Sequence, residues 1–169
     1  MHAPTRPHPT LPSPTGPTTT DRVAAIDERV REVLRRHGPD VMRWTLGIVF
    51  VWFGALKVLN VTPVAGLVAD TLAFVPIPAS LVVPALGVFE IVAGILLVAG
   101  RMLRPVVAVL TGHLVGTFLV LVTQPHVAFQ DGNPFLLTTE GEFVVKNLVL
   151  IAGTLLVAAA LPPMRRNAR

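Results

Sequence analysis

The sequence predicts an all-α integral membrane protein, a four-transmembrane-helix bundle preceded by an N-terminal cytoplasmic amphipathic helix. Three observations carry this expectation. Hydrophobic residues make up 52% of the chain and charged residues 14%, against about 25% charged in an average soluble domain, and the mean hydropathy is +0.66. The charges are unevenly placed, because only 13 of the 129 residues from Val41 onward are Lys, Arg, Asp or Glu. That same region contains four apolar segments near the length of about 20 residues that crosses a hydrocarbon core of about 30 Å. The composition also excludes function classes. A net charge of +4 is a small imbalance between 14 bases and 10 acids, so no nucleic-acid partner is expected. The chain has no Cys, which excludes a thiol relay, Cys-ligated zinc and iron-sulfur clusters on its own residues.

Residues 1–20 hold six of the prolines and almost no large apolar side chains, too little to offset the entropy of ordering. They are expected to form a disordered Pro-rich tail, with His2 and His8 solvated in it. Over residues 21–38, Val23, Ile26, Val30, Val33 and Leu34 recur at helical spacing, Thr20 can cap the start and Gly38-Pro39 ends the run. This predicts an amphipathic, Arg-rich helix lying at a membrane surface, against a partner, or simply in solvent. It does not read as a signal peptide, because the first apolar run begins near residue 41 and no small-residue cleavage site follows it.

The transmembrane domain is expected over 41–161, with spans at about 41–61, 81–100, 105–123 and 143–161, followed by a basic cytoplasmic tail at 162–169. Pro105 opens the third span where its missing N–H costs nothing, and Pro162-Pro163 stop the fourth. Between the first two spans, Val64 to Val75 is apolar but too short to cross, which predicts a helix in the interface or folded over the bundle mouth. Six arginines from Arg22 to Arg43, then Arg101 and Arg104, then Arg165, Arg166 and Arg169 all fall on one side of the spans. The loops 62–80 and 124–142 carry only Asp70, Asp131, Glu140 and Glu142, so both termini are expected in the cytoplasm.

The two lysines of the chain, Lys57 and Lys146, both fall inside spans, as do Glu90 and His113. Each of the four spans therefore contributes one ionisable side chain that needs a partner or water at membrane depth. At about 1.5 Å rise per residue, Glu90 and His113 lie near the midplane and the two lysines nearer the outer boundary. This predicts a Lys57–Glu90–Lys146 cluster in the outer half of the bundle with the imidazole below it. Gly87 and Gly94 flank Glu90 at i−3 and i+4, a stripe where another helix can approach closely. His113, Thr117 and Gln124 continue along one face of the third span, beside the small pair Gly112 and Gly116. Other readings of the same residues stay open: either lysine snorkelling to head groups, a purely structural ion pair at Glu90, and His113 as a packing residue bonded to a carbonyl or to Thr117. A second intramembrane His for haem ligation is absent from the sequence.

In the last outer loop, His126, Asp131, Glu140 and Glu142 match no recognised metal-ligand spacing, and no metal is assigned. A turn at Asp131-Gly132-Asn133-Pro134, a cap from Thr138 or Thr139 and acids near the N-terminus of the fourth helix account for the same residues. No nucleophile–base arrangement, phosphate loop or dinucleotide fingerprint appears.

The segments RWTLGIVFVWFGALKVLNVTP, GVFEIVAGILLVAG, the TQP closing the third span, and GEFVVKNLVLIAG resemble the DoxX-like superfamily of small four-helix bacterial membrane proteins. Within it they are most similar to the branch containing the inner-membrane protein of the reactive-chlorine-resistance system. The resemblance implies a plasma-membrane bundle linked to redox chemistry or oxidative stress. One relative is similar to a small subunit of a thiosulfate:quinone oxidoreductase, and others associate with sulfur-metabolising or superoxide-detoxifying enzymes. The family's polar signature falls on Lys57, Glu90, Lys146 and Asn147. This sequence departs from the branch in a short, apolar first outer loop and in Asn147, where an Asp is usual.

The first functional expectation is an accessory or anchor subunit of a redox system, at most a non-catalytic or quinone-interacting subunit of an oxidoreductase. A membrane quinone or other amphipathic ligand would be bound by Lys57, Glu90, His113, Lys146, Asn147 and Gln124. Its partners would be the lipid bilayer, a membrane or cytoplasmic redox enzyme and further copies of itself. The alternatives are a small oligomeric anion or small-molecule transporter, motivated by two lysines against one glutamate, and a structural assembly factor docking through its Arg-rich helix.

Overall fold

The computed structural model describes residues 19–74 and 76–163. The expected tail up to residue 18, with His2 and His8, Val75, and the basic residues Arg165, Arg166 and Arg169 lie outside them. The elements are α1 (Thr19–Val58), α2 (Ala65–Thr71), α3 (Ala79–Ala99), α4 (Leu103–Thr117), α5 (Leu119–Thr123), α6 (Pro125–Ala128), a 3-10 turn (Gln130–Gly132) and α7 (Thr139–Ala159). Among the described residues there is no strand, only an isolated antiparallel bridge between Phe129 and Leu137. Four stretches are long and apolar enough to cross a membrane: α1, α3, the run Leu103–Thr123 that contains α4 and α5, and α7. The chain is an all-helical, multi-pass membrane protein built as a four-helix bundle.

The chain divides into two compact units at Arg36 and His37, inside α1. In the first unit, residues 19–36 are helical and exposed throughout, with Asp27–Arg31 at 3.0 Å and Glu32–Arg35 at 2.8 Å along the helix. The expected stop at Gly38-Pro39 is corrected here, since α1 runs through Pro39 to Val58. Proline cannot donate to the carbonyl four residues back, but that carbonyl belongs to Arg35, which is exposed, so water can replace the lost donor.

In the second unit the expected spans are present with shifted ends. The first stops at Val58, where Asn60 adopts a left-handed φ of 55°. The third breaks at Phe118, where the Thr117 hydroxyl donates to the Leu114 carbonyl at 2.6 Å and the Phe118 amide reaches back only three residues, to Val115. The fourth starts at Thr139, because Thr138 caps it by accepting from the Gly141 amide at 3.1 Å, with Glu140 and Glu142 in its first turn. The preceding turn holds Asp131 and Gly132 at φ 51° and 72°, and Asn133 Oδ1 accepts from the Phe135 amide at 3.0 Å. The expected short helix over Val64 to Val75 is α2, seven residues long, packed against α3 and α5.

The tightest seam joins α1 and α3, which run antiparallel with Gly47 against Gly94 and Gly54 against Gly87. A Cβ added at Gly54 would stand 2.5 Å from the Gly87 carbonyl oxygen, and one at Gly94 would stand 2.6 Å from that of Gly47. Backbone meets backbone, as small-residue seams allow in lipid. Gly153 of α7 packs on Met42 and Leu46 of α1, and α4 meets α7 through Thr111 and Thr154, whose hydroxyls lie 3.3 Å apart. Leu46, Phe50, Ala93, Leu97, Leu110, Leu114 and Val157 fill the space between the four helices. Two arginines close the same end of the bundle. Arg43 donates to the carbonyls of Leu97 and, at 2.8 Å, Val98 as α3 finishes at Gly100 (φ 68°), and Arg104 donates to the Pro162 carbonyl just beyond α7. Both place a cation where a helix leaves unsatisfied carbonyls. Ile48, Trp52, Val88, Val92, Ile95, Val109, Val149 and Leu156 are exposed, and together they form a lipid-facing surface.

Because a methyl at Gly54 or Gly87 would meet a carbonyl oxygen rather than a flexible side chain, α1 and α3 must separate to admit it. Gly54→Ala or Gly87→Ala should cost about 2 kcal/mol, read as a lower unfolding midpoint in detergent. Gly112→Ala, where a Cβ meets nothing within 4 Å, should be neutral or slightly stabilising.

Candidate functional site

Glu90 lies in the middle of α3 and is 4% exposed. A carboxylate there needs partners for both oxygens, and two helices supply them. Lys57, in the last turn of α1, donates from Nζ to Oε2 at 2.6 Å, and His113 of α4 has Nε2 3.0 Å from Oε1. The glycine seam makes the first contact feasible, since Gly87 lies against the Lys57 Cβ and brings the lysine stem alongside α3. The imidazole is held edge-on to Phe89 with ring centroids 5.3 Å apart. With Glu90 ionised beside Lys57, both oxygens are acceptors, so by inference His113 Nε2 carries the proton it shares.

These three residues form the polar corner of a cavity of about 240 Å³. Its walls are otherwise largely apolar, from Phe50 and Phe53 of α1, Leu67 and Val68 of α2, Leu114 of α4 and Leu150 of α7. Phe53 and Phe143 meet at 6.0 Å between ring centroids and join α1 to α7 at the cavity wall. A second polar point comes from α7, where Asn147 Nδ2 donates to the Thr117 hydroxyl at 2.9 Å. That hydroxyl already donates to Leu114, so its oxygen must accept from the amide NH₂, which leaves the amide oxygen of Asn147 without a partner among the described residues.

Of the six expected site residues, Lys57, Glu90, His113 and Asn147 line this cavity. Lys146 does not join them. Its side chain is 73% exposed and pairs with Glu142 one turn back at 3.2 Å. The reason is azimuth: successive helical residues point about 100° apart, and with Asn147 turned inward Lys146 faces out. Gln124 is also away from the cavity, because the interruption at Phe118 and its own extended φ of −132° take it off the His113–Thr117 face. Among the described residues no three His, Asp or Glu side chains gather as metal ligands. Sequence reasoning did not single out Thr71 and the rest of α2 as cavity wall, although the apolar run before Pro76 signalled a helix near the bundle mouth. The buried Thr71 hydroxyl is satisfied by the Leu67 carbonyl at 2.6 Å.

Fold and site together define a small four-helix integral membrane protein with an ion pair and an imidazole set into an apolar cavity. The DoxX family profile matches residues 38–123, just over half of the chain, and the chain belongs to the DoxX family. No curated protein and no solved structure matches it.

Removing one member of a buried pair leaves the other charge uncompensated. Glu90→Ala should therefore destabilise the bundle by about 3 kcal/mol, measured as the unfolding midpoint in detergent. The double variant Lys57→Met/Glu90→Leu should recover most of that loss, because it removes both charges and keeps the volume.

Proposed function

We propose that the protein is an accessory or anchor subunit of a redox or oxidative-stress system in the bacterial plasma membrane, and that its cavity binds a membrane quinone or a similarly amphipathic ligand. The observation that carries this reading is a cavity of about 240 Å³ in a membrane-spanning bundle whose walls are apolar except at one charged corner, one amide and two threonine hydroxyls already bonded to carbonyls. An apolar cavity of about 150 Å³ accommodates benzene, so the space suits a substituted ring. The donors fit a ring that carries oxygens: the Lys57 ammonium, which has two N–H groups beyond the one given to Glu90, at one corner, and the second N–H of the Asn147 amide on α7. When bound, a quinone would supply the electron chemistry that no residue of this chain offers. The chain's own part is to bind and to handle protons. Lys57 donates a hydrogen bond to a ligand oxygen, Glu90 holds Lys57 and His113 in place, and a proton taken up at the second ring nitrogen of His113 lets the Nε2 proton move to Glu90. The resemblance to the reactive-chlorine-resistance branch supports the stress role. The concentration of Arg43, Arg101 and Arg104 at one end supports a topology with both termini cytoplasmic.

Anion transport loses its motive. With Lys146 outside the cluster, one lysine faces one glutamate, and no surplus positive charge remains in the cavity to select an anion.

The test begins with protein purified from its native membrane in mild detergent, solvent extraction of the co-eluting amphiphile and its identification by mass spectrometry. Binding of decyl-ubiquinone is then titrated. A stoichiometric quinone, with affinity reduced at least about tenfold in a folded Glu90→Gln variant, is the expected result. Gly116 lines the cavity and has open space where its Cβ would stand, so Gly116→Leu should weaken binding by filling that space without lowering stability. No bound amphiphile and equal affinities in all three proteins would refute the reading.

A further inference from the structure

The cavity leaves residues 19–36 unused. Val23, Ile26, Val30, Val33 and Leu34 are 50% to 63% exposed, and at 3.6 residues per turn they fall within an arc of about 100°. Arg22, Arg29 and Arg36, spaced seven residues apart, run along one edge of that arc, and none of them forms an ion pair among the described residues. At the other edge Asp27 is neutralised by Arg31 at 3.0 Å, and Glu32 pairs with Arg35 at 2.8 Å. Asp21, Glu28 and Glu32 fall on the face opposite the apolar arc by the same helical spacing. The helix thus has an apolar face, a row of unneutralised guanidinium groups along one border, a neutralised Asp27 along the other, and its remaining acids on the far side.

This distribution matches an anionic bilayer surface. Arginine at the border of an apolar face can bury its stem and leave its fork at the level of the lipid phosphates. A groove on a soluble protein would cover the apolar face equally well, but it gives no reason for the acids to stand on the far side. The apolar run that crosses the membrane begins at Val41, five residues after Arg36, and Pro39, which leaves the Arg35 carbonyl without its helical donor, is the point at which α1 would bend to lay this face on the surface. We infer that residues 19–36 are a binding surface for anionic phospholipid, with phosphates held by Arg22, Arg29 and Arg36 and the five apolar side chains in the acyl boundary. The surface is separate from the cavity, and its function does not depend on what the cavity binds.

The chain has no Cys, so a single introduced thiol can carry an environment-sensitive fluorophore without background. Full-length protein bearing Val30→Cys, or Glu28→Cys on the opposite face, is labelled and placed in nanodiscs of phosphatidylcholine alone or mixed with phosphatidylglycerol. The label at position 30 should shift to the blue and resist aqueous iodide only where phosphatidylglycerol is present, while the label at position 28 stays quenchable in both. Replacing Arg22, Arg29 and Arg36 by Gln should abolish that lipid dependence, each arginine contributing about fivefold to docking, and added salt should weaken it. Equal quenching at position 30 in both lipids, or protection that survives the triple Gln variant, would overturn the inference. Protection found only in native membranes would overturn it too, in favour of a protein partner.

Discussion

Everything in the transmembrane unit is arranged around one carboxylate that lipid would not tolerate alone. Glu90 is nearly fully buried, and a single ionised group at that depth is among the most costly features a membrane helix can carry. Its two oxygens are held by residues from two other helices, so α1, α3 and α4 cannot separate at the Lys57 end without stranding a charge. The constraint runs back into the backbone. Lys57 reaches Oε2 because Gly54 and Gly87 let α1 and α3 touch, and the same seven-residue spacing repeats the contact at Gly47 and Gly94. One turn beyond that second contact Arg43 is bonded to the end of α3, so the seam is fixed by a cation at each end and by backbone contact between them.

The two halves of the bundle are built differently, and the difference has functional content. Toward Arg43 the space between the helices is filled by Leu46, Leu97, Leu110 and Val157, with the Thr111–Thr154 hydroxyl contact satisfied locally. Toward Lys57 the filling gives way to a cavity, and a small buried apolar cluster there, Val120, Ala128 and Val144, supports the loop elements. A close-packed half holds the helices in register while the hollow half keeps room beside its charges. α2 completes the wall of that room, which explains why a segment too short to cross the membrane is folded against α3 and α5.

The sequence made the spans legible because each is a single property, apolar length, summed over some twenty residues. Glu90 was legible for a similar reason, since Gly87 and Gly94 mark the face on which it stands. Lys146 was misplaced because depth along a helix axis says nothing about the direction around it. Its neighbour Asn147 occupies the inward azimuth, and a lysine next to it could only turn to Glu142. Gln124 failed for a different cause, because a periodic stripe holds only while the helix is unbroken, and the break at Phe118 follows from a side-chain hydrogen bond that composition does not reveal. Gly38-Pro39 reads as a stop by propensity, yet an exposed carbonyl can be served by water, so the helix assignment continues through it. α2 as cavity wall was legible only in outline, because the contact depends on where three prolines turn the chain.

The displacement of Lys146 changes the chemistry open to the site. Two lysines against one carboxylate would make a fixed cationic pocket whose charge no local proton movement could cancel. With one lysine and one carboxylate the fixed charges balance. Glu90 Oε1 and His113 Nε2 lie 3.0 Å apart, so the imidazole is held on the edge of the carboxylate that faces α4. Lys57 occupies the other oxygen, Oε2, from α1. A site with balanced charges set in largely apolar walls offers directed hydrogen bonds rather than a net field, and in a low-dielectric surrounding each of those bonds counts for more than it would in water.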